Sequence, residues 1–179
     1  MNLSGLILKL SGWKLKVSVP DYPKSIICVA PHTSNWDFIL GKLAYSAIGR
    51  KAGFLMKEAW FFFPLGIIFK AMGGIPVPRQ KGSDLVETIV NKFNDSENMS
   101  LAITPEGTRK RTTEWRKGFI YIALQAHIPI VLAYIDFGNK EIGITESFSP
   151  TGDVEADLRY IKNFYKQYKG KHPEKFATD

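Results

Sequence analysis

Short apolar runs alternate with helix-period segments along this chain, and no other feature narrows the possible folds as much. The runs "SIICVA" (25–30), "GFLMK" (53–57), "MSLAIT" (99–104) and "IPIVLAYIDF" (128–137) are partly β-branched and bounded by proline, glycine or polar residues. Between them lie stretches whose apolar residues return every three or four positions. A strand covered on both faces reads as an unbroken apolar run, and the helix covering it as a 3.6-residue repeat. Such a chain folds as an α/β domain: one central, largely parallel sheet flanked by helices. At 179 residues, with no linker, repeat or low-complexity tract, it forms a single domain spanning 1–179.

The helices follow from their signals. Ser34, with Asp37 three residues on, opens one that runs to about Gly49. Pro64 and Gly66 break the aromatic segment 59–72 into two helical pieces. Ser83 caps a helix to about Phe93, marked by Leu85, Ile89 and Phe93. Gly118 to His127 is helical, and Asp153 caps a last helix through Tyr168. "GGIPVPR" (73–79) reads as a loop with an extended core, and "EIGIT" (141–145) as a further short strand. Leu3, Leu6, Ile7 and Leu10 form one apolar stripe that Trp13 continues, so 1–16 reads as an amphipathic helix. It either docks on its own domain or lies in a membrane interface. The polar end, 170–179, reads as a tail without fixed structure.

Twenty-four Lys and Arg against 17 Asp and Glu give a net charge of +7 and call for an anionic partner. The basic group in "RKRTTEWRKG" (109–118) comes with no helix-turn-helix, zinc spacing or RNP-type strand, so nucleic acid is not the expected partner. His32, His127 and His172 are too scattered for a metal site. Cys28, the single cysteine, sits in a strand as an inert buried thiol and fits a reducing compartment. No secretory signal is evident. The greasiest run, "WFFFPLGIIF" (60–69), falls well short of the ~20 residues a bilayer requires.

Two junctions carry chemistry. "PHTSNWD" (31–37) and "TPEGTR" (104–109) each follow a strand, where ligands bind in open α/β sheets. An imidazole titrates near pH 6.5 and is available as a neutral base. A carboxylate five residues on can accept from one ring nitrogen, fix the tautomer and stabilise the imidazolium. Alone, the same pattern fits a turn histidine and a helix cap.

With its companions, the pattern resembles the glycerolipid (lysophosphatidic acid) acyltransferases, over about Ile26 to Phe137. The four ordered blocks of that family are matched by His32-x4-Asp37, by Gly73-Gly74-Ile75-Pro76-Val77-Pro78-Arg79, by Pro105-Glu106-Gly107-Thr108-Arg109 with Lys117-Gly118 beyond, and by the apolar Ile128-Pro129-Ile130-Val131. Lys57 fits the lysine before the family's aromatic segment. The resemblance implies a glycerol-3-phosphate acyltransferase-like fold and transfer of a fatty acyl group from a thioester to a hydroxyl of a lysophospholipid-type acceptor, lysophosphatidate foremost, in phospholipid biosynthesis. His32 would be the base and Asp37 its partner. Lys57, Arg79 and Arg109 would surround the acceptor phosphate, with Gly107 admitting it closely and Thr108 donating. Glu106 would hold an arginine or accept from a glycerol hydroxyl. Lys117 would serve either the phosphate or the solvated surface. No G-x-S-x-G elbow is present, so no acyl-enzyme is required.

The resemblance implies no bound cofactor; acyl-coenzyme A or acyl-acyl carrier protein would be the co-substrate. Pro78 stands where many members carry an acidic residue, which leaves the head group open between lysophosphatidate and a lyso-form of an amino-acid lipid. A basic lipid- or nucleic-acid-binding module without catalytic activity is the alternative of another class. Segment 59–72 is the expected lining of an acyl channel or the route to the bilayer. With the basic charge and apolar first helix, this implies a cytoplasmic protein resting on an anionic membrane, the inner face of the cell membrane.

Overall fold

The computed structural model describes residues 2–77 and 83–179. In chain order the elements are α1 (Leu3–Leu10), β1 (Lys14–Val17), β2 (Lys24–Ala30), α2 (Trp36–Ala47), β3 (Gly53–Lys57), α3 (Leu65–Ala71), β4 (Gly74–Val77), α4 (Ser83–Asn94), β5 (Met99–Ile103), α5 (Gly118–Gln125), β6 (Ile130–Asp136), β7 (Glu141–Phe148) and α6 (Val154–Tyr165). All the strands join one sheet in the order β1-β7-β6-β2-β5-β3-β4. Every pairing is parallel except β6 with β7, so the expected largely parallel α/β sheet is what forms.

The central strand β2 is apolar from Ile26 to Ala30 because both its faces are covered there. On one side Ile26, Cys28, Leu101, Ile130 and Leu132 pack under α4, α5 and α6, through Ile89, Phe93, Phe119, Ile120, Ile161 and Tyr165. On the other side lie α1 and α2, which contribute Leu8, Leu40 and Ala44 against Ile135 and Ile142. Cys28 is fully buried, and burial pushes its thiol far above the usual range, so it is inert. Tyr165 crosses the core to donate to Cys28 O at 2.6 Å, with Ala133 O at 3.1 Å.

Several expectations are corrected. The N-terminal helix does not reach residue 16: it stops at Leu10, and Gly12, at φ +80°, turns the chain into β1, which pairs with β7. The alternation Lys14-Leu15-Lys16-Val17 suits an edge strand, with Leu15 packed beside Leu8 and Ile142. Within α1 the residue facing the domain is Leu8, while Leu3 and Leu10, on the expected stripe, remain 73% and 79% exposed.

The extended core of "GGIPVPR" is a full strand of the sheet, "GIPV". It is tolerated with a proline because β4 is the opposite edge of the sheet.

The polar end is folded as well. Trp115 Nε1 donates to Ala177 O at 3.0 Å, and Arg111 Nη1 to Phe176 O at 3.2 Å. Helix α6 ends at Tyr165, three residues short of expectation, so that 166–179 can cross the top of the sheet.

Candidate active site

Strands β2 and β5 are neighbours, so the loops leaving their carboxyl ends meet although they are far apart in sequence. After β2 the chain turns through Pro31 and starts α2 at Trp36. Asp37, in the first turn of that helix, reaches back: Oδ2 accepts from the amides of Thr33 and Ser34, both at 2.8 Å, and Oδ1 from Ser34 Oγ at 3.2 Å. A carboxylate here also complements the positive end of the helix dipole. The loop is thereby drawn into a ring that brings His32 Nδ1 to 3.3 Å from Asp37 Oδ2. Nδ1 is buried and makes no aligned hydrogen bond, because Oδ2 is already occupied by two amides. The contact is one of proximity. Asp37 is fully enclosed, while the imidazole keeps an accessible edge.

Glu106 approaches the same loop from β5. Its Oε1 accepts from the backbone N–H of His32 at 2.9 Å, and its Oε2 is buried without a partner. Burial raises this carboxyl to about 7; the His32 amide and ring pull against the rise and Asp37 adds to it. The resulting acid is half-protonated near neutrality and has one free oxygen. The turn around it depends on Gly107, at φ +63°, a conformation other residues adopt at a cost. Gly107 N donates to Thr104 O, and Arg116 N closes the loop onto Pro105 O at 2.7 Å.

His32 and Asp37 sit in the wall of a cavity of about 370 Å³ between α2 and the sheet. The space exists because the residues facing one another across it are small: Gly41 and Ala44 on α2, Ala52 and Gly53 at β3, Ala102 on β5 and Ala133 on β6. The rest of the lining is largely apolar, including Val29, Phe38, Tyr45 and Ile144, with Lys42 at one side. The arrangement is a greasy slot with one imidazole and one carboxylate at its wall.

Residues 15–136, which hold both loops and most of the cavity lining, match the acyltransferase family model. The chain belongs to the acyltransferase family. It is 29% identical over 136 residues to the 1-acyl-sn-glycerol-3-phosphate acyltransferase of Limnanthes douglasii, covering 72% of this chain and 47% of that protein. It is 34% identical over 112 residues to the human 1-acyl-sn-glycerol-3-phosphate acyltransferase beta, covering 57% and 38%. The chain thus spans about half the length, or less, of these curated relatives. Its fold is similar to the crystal structure of the 1-acyl-sn-glycerophosphate (LPA) acyltransferase PlsC from Thermotoga maritima, with a TM-score of 0.57 at 16% identity over 93% of this chain and 78% of that one.

Within this acyltransferase domain the remaining sequence-selected residues are placed as follows. Lys57 ends β3 and is exposed, as is Arg109. Thr108 Oγ1 accepts from Lys110 N at 3.1 Å, shaping the turn. Lys117 is paired with Glu155 of α6. Arg79 lies outside the described residues. Segment 59–72 contributes none of the cavity's walls. Instead Trp60, Phe62, Phe63, Ile67 and Ile68 are exposed. The sequence reading missed the inner face of α2 as lining; the small residues Gly41 and Ala44, one turn apart, were its only signal.

Proposed function

We propose that this acyltransferase-family domain moves a fatty acyl group from an acyl thioester to the free hydroxyl of a lysophospholipid-type acceptor, 1-acylglycerol-3-phosphate foremost. The observation that carries the reading is the apolar cavity with His32 and Asp37 in its wall. The geometry suits a donor whose hydrocarbon chain fills the slot while its thioester carbonyl lies beside the imidazole. Asp37 lies against Nδ1, so Nε2 is the nitrogen for the acceptor. Nε2 takes the hydroxyl proton as that oxygen attacks the carbonyl carbon. The tetrahedral intermediate then expels sulfur, and the imidazolium returns the proton to the departing thiolate, giving ester and thiol. Arg109 and Lys57, exposed at the carboxyl ends of adjacent strands, suit a phosphate, and Gly107 keeps the backbone there open to it. The partnerless Glu106 Oε2 suits a hydroxyl of the acceptor. Coenzyme A or acyl carrier protein would deliver the acyl group.

The same reading places the protein on the inner face of an anionic membrane. The outward stripe of α1, Trp36 and Ile39 on α2, and Phe63, Ile67 and Ile68 around α3 are exposed on three adjoining helices. Asn2 Nδ2 ties α1 to Ser46 O of α2, and Lys42 Nζ ties α2 to Met72 O after α3. Each such side chain buried in lipid contributes ~1.5–3 kcal/mol. Among the described residues no helix is long and apolar enough to cross a membrane.

The test is purified protein with acyl thioesters of graded length and a panel of lyso-acceptors, read by mass spectrometry. Acylated lipid is expected from the wild type and none from His32→Ala with an unchanged circular dichroism spectrum. An active His32→Ala protein overturns the mechanism. On anionic vesicles, Leu3→Ser/Phe63→Ser/Ile67→Ser should sediment less than wild type, and equal binding would remove the membrane face.

A further inference from the structure

The last segment of the chain lies on the catalytic loop itself. It leaves α6, and Phe137 N donates to Lys169 O at 2.8 Å while Lys169 N donates to Asp136 Oδ1 at 3.2 Å, fixing it to the end of β6. It then crosses the H-x4-D loop. Gly170 is buried against Thr33 and Pro31 so closely that a Cβ at 170 would stand 2.7 Å from Thr33 Oγ1, 2.8 Å from Thr33 Cγ2 and 3.1 Å from Pro31 Cβ. His172 N donates to Thr33 Oγ1 at 3.2 Å, and Lys171 Nζ sits 5.2 Å from the centre of the Trp36 ring. The segment ends on the loop that follows Pro105–Arg109, through Ala177 O and Phe176 O. It is therefore tied down on both sides of His32 and touches the residues before and after it.

We infer that residues 169–177 form a strap that positions His32, acting through Gly170 and Thr33, and so belong to the working active site. The inference rests on the acyl-transfer reading for its consequence but not for its geometry. Thr33 is 2% exposed; its backbone N–H holds Asp37 Oδ2, and its side chain is held by the strap. The peptide joining His32 to Thr33 is thus clamped from two directions, by Asp37 and by the strap. Displacing a reacting group by about 1 Å can cost on the order of 10²-fold in rate. Thr33 and Gly170 are positioning residues: the structure brings neither to the reacting atoms, but together they set where the imidazole stands.

The test compares Gly170→Val, Thr33→Val and Thr33→Ser in the full-length protein. Gly170→Val pushes the strap off Thr33. Thr33→Val keeps the shape but removes the acceptor of His172 N, and Thr33→Ser keeps that acceptor. The first two should lower kcat about 10- to 100-fold with KM for donor and acceptor within about two-fold of wild type, and Thr33→Ser should restore most of the loss seen in Thr33→Val. Independently of activity, the His32 ring 1H–13C signal, identified by its loss in His32→Gln, should move in Gly170→Val and Thr33→Val while the Thr33→Ser signal stays near wild type. An unmoved ring signal and an unchanged kcat in Thr33→Val overturn the strap's role. If Gly170→Val does not fold, the Thr33 pair decides. If the wild type transfers no acyl group, the functional reading fails, and the ring signal alone decides the positioning.

Discussion

The backbone N–H of His32 donates to the Glu106 carboxylate at 2.9 Å, joining two loops 74 residues apart. Glu106 therefore helps to hold the H-x4-D loop with a group that is unsuited to burial once ionised. Its carboxyl is raised from 4.5 to about 7 by that burial. Between those values the unfolded chain has released the proton and the folded chain retains it, so stability falls as pH rises through the window. Above pH 7 the full cost, about 3 kcal/mol, is present. Glu106→Gln stays neutral and keeps an acceptor for His32 N. Urea unfolding at pH 5 and pH 8 should show the variant gaining up to about 3 kcal/mol on the wild type over that interval. Parallel pH profiles for the two proteins would refute the burial argument.

Asp37 is engaged by two amides and lies beside His32 Nδ1, so its negative charge supports both the loop and the ring. Asp37→Asn removes that charge while keeping size. Turnover should fall about 10²–10⁴-fold, with α2 retained by circular dichroism. A loss below ten-fold would assign Asp37 a capping role alone.

Gly41 lines the cavity, and a Cβ built there meets nothing within 4 Å. Gly41→Leu should place its side chain in the slot, and in mid-helix it removes a glycine cost of about 1 kcal/mol. Thermal stability should hold or rise, while the preferred thioester becomes shorter. A chain-length profile identical to wild type would show that the acyl group lies elsewhere.

Tyr165, fully buried, serves Cys28 O and Ala133 O with its one hydroxyl. Tyr165→Phe leaves these carbonyls short of a donor in a dry core and should cost about 1–3 kcal/mol in denaturant unfolding. A neutral substitution would show that the sheet's own ladder satisfies both.

How far the sequence reached can be read from particular elements. Strands β2, β3, β5 and β6 were visible because their runs report their own surroundings: a segment covered on both faces must be apolar along its length. Of the edge strands, β1 was missed and β4 was read only as the extended core of a loop. Each has four residues, β1 alternating with lysine and β4 carrying Pro76, and each is a strand because a longer neighbour offers it a ladder. The α1 stripe was visible too, but periodicity identifies an apolar face without saying what it faces, and here Leu8 took the core.

For the candidate site, the sequence alone determined that His32 and Asp37 meet, since one short turn joins them and its local geometry closes on itself. Tertiary structure decided the rest. The bond from Glu106 to the His32 amide follows from β2 and β5 being neighbours, the cavity from small residues on separate strands facing Gly41 and Ala44, and the strap from where α6 stops. Strand order and helix ends are set by the packing of the whole chain. No local pattern of residues encodes a contact whose two halves are brought together only by that packing.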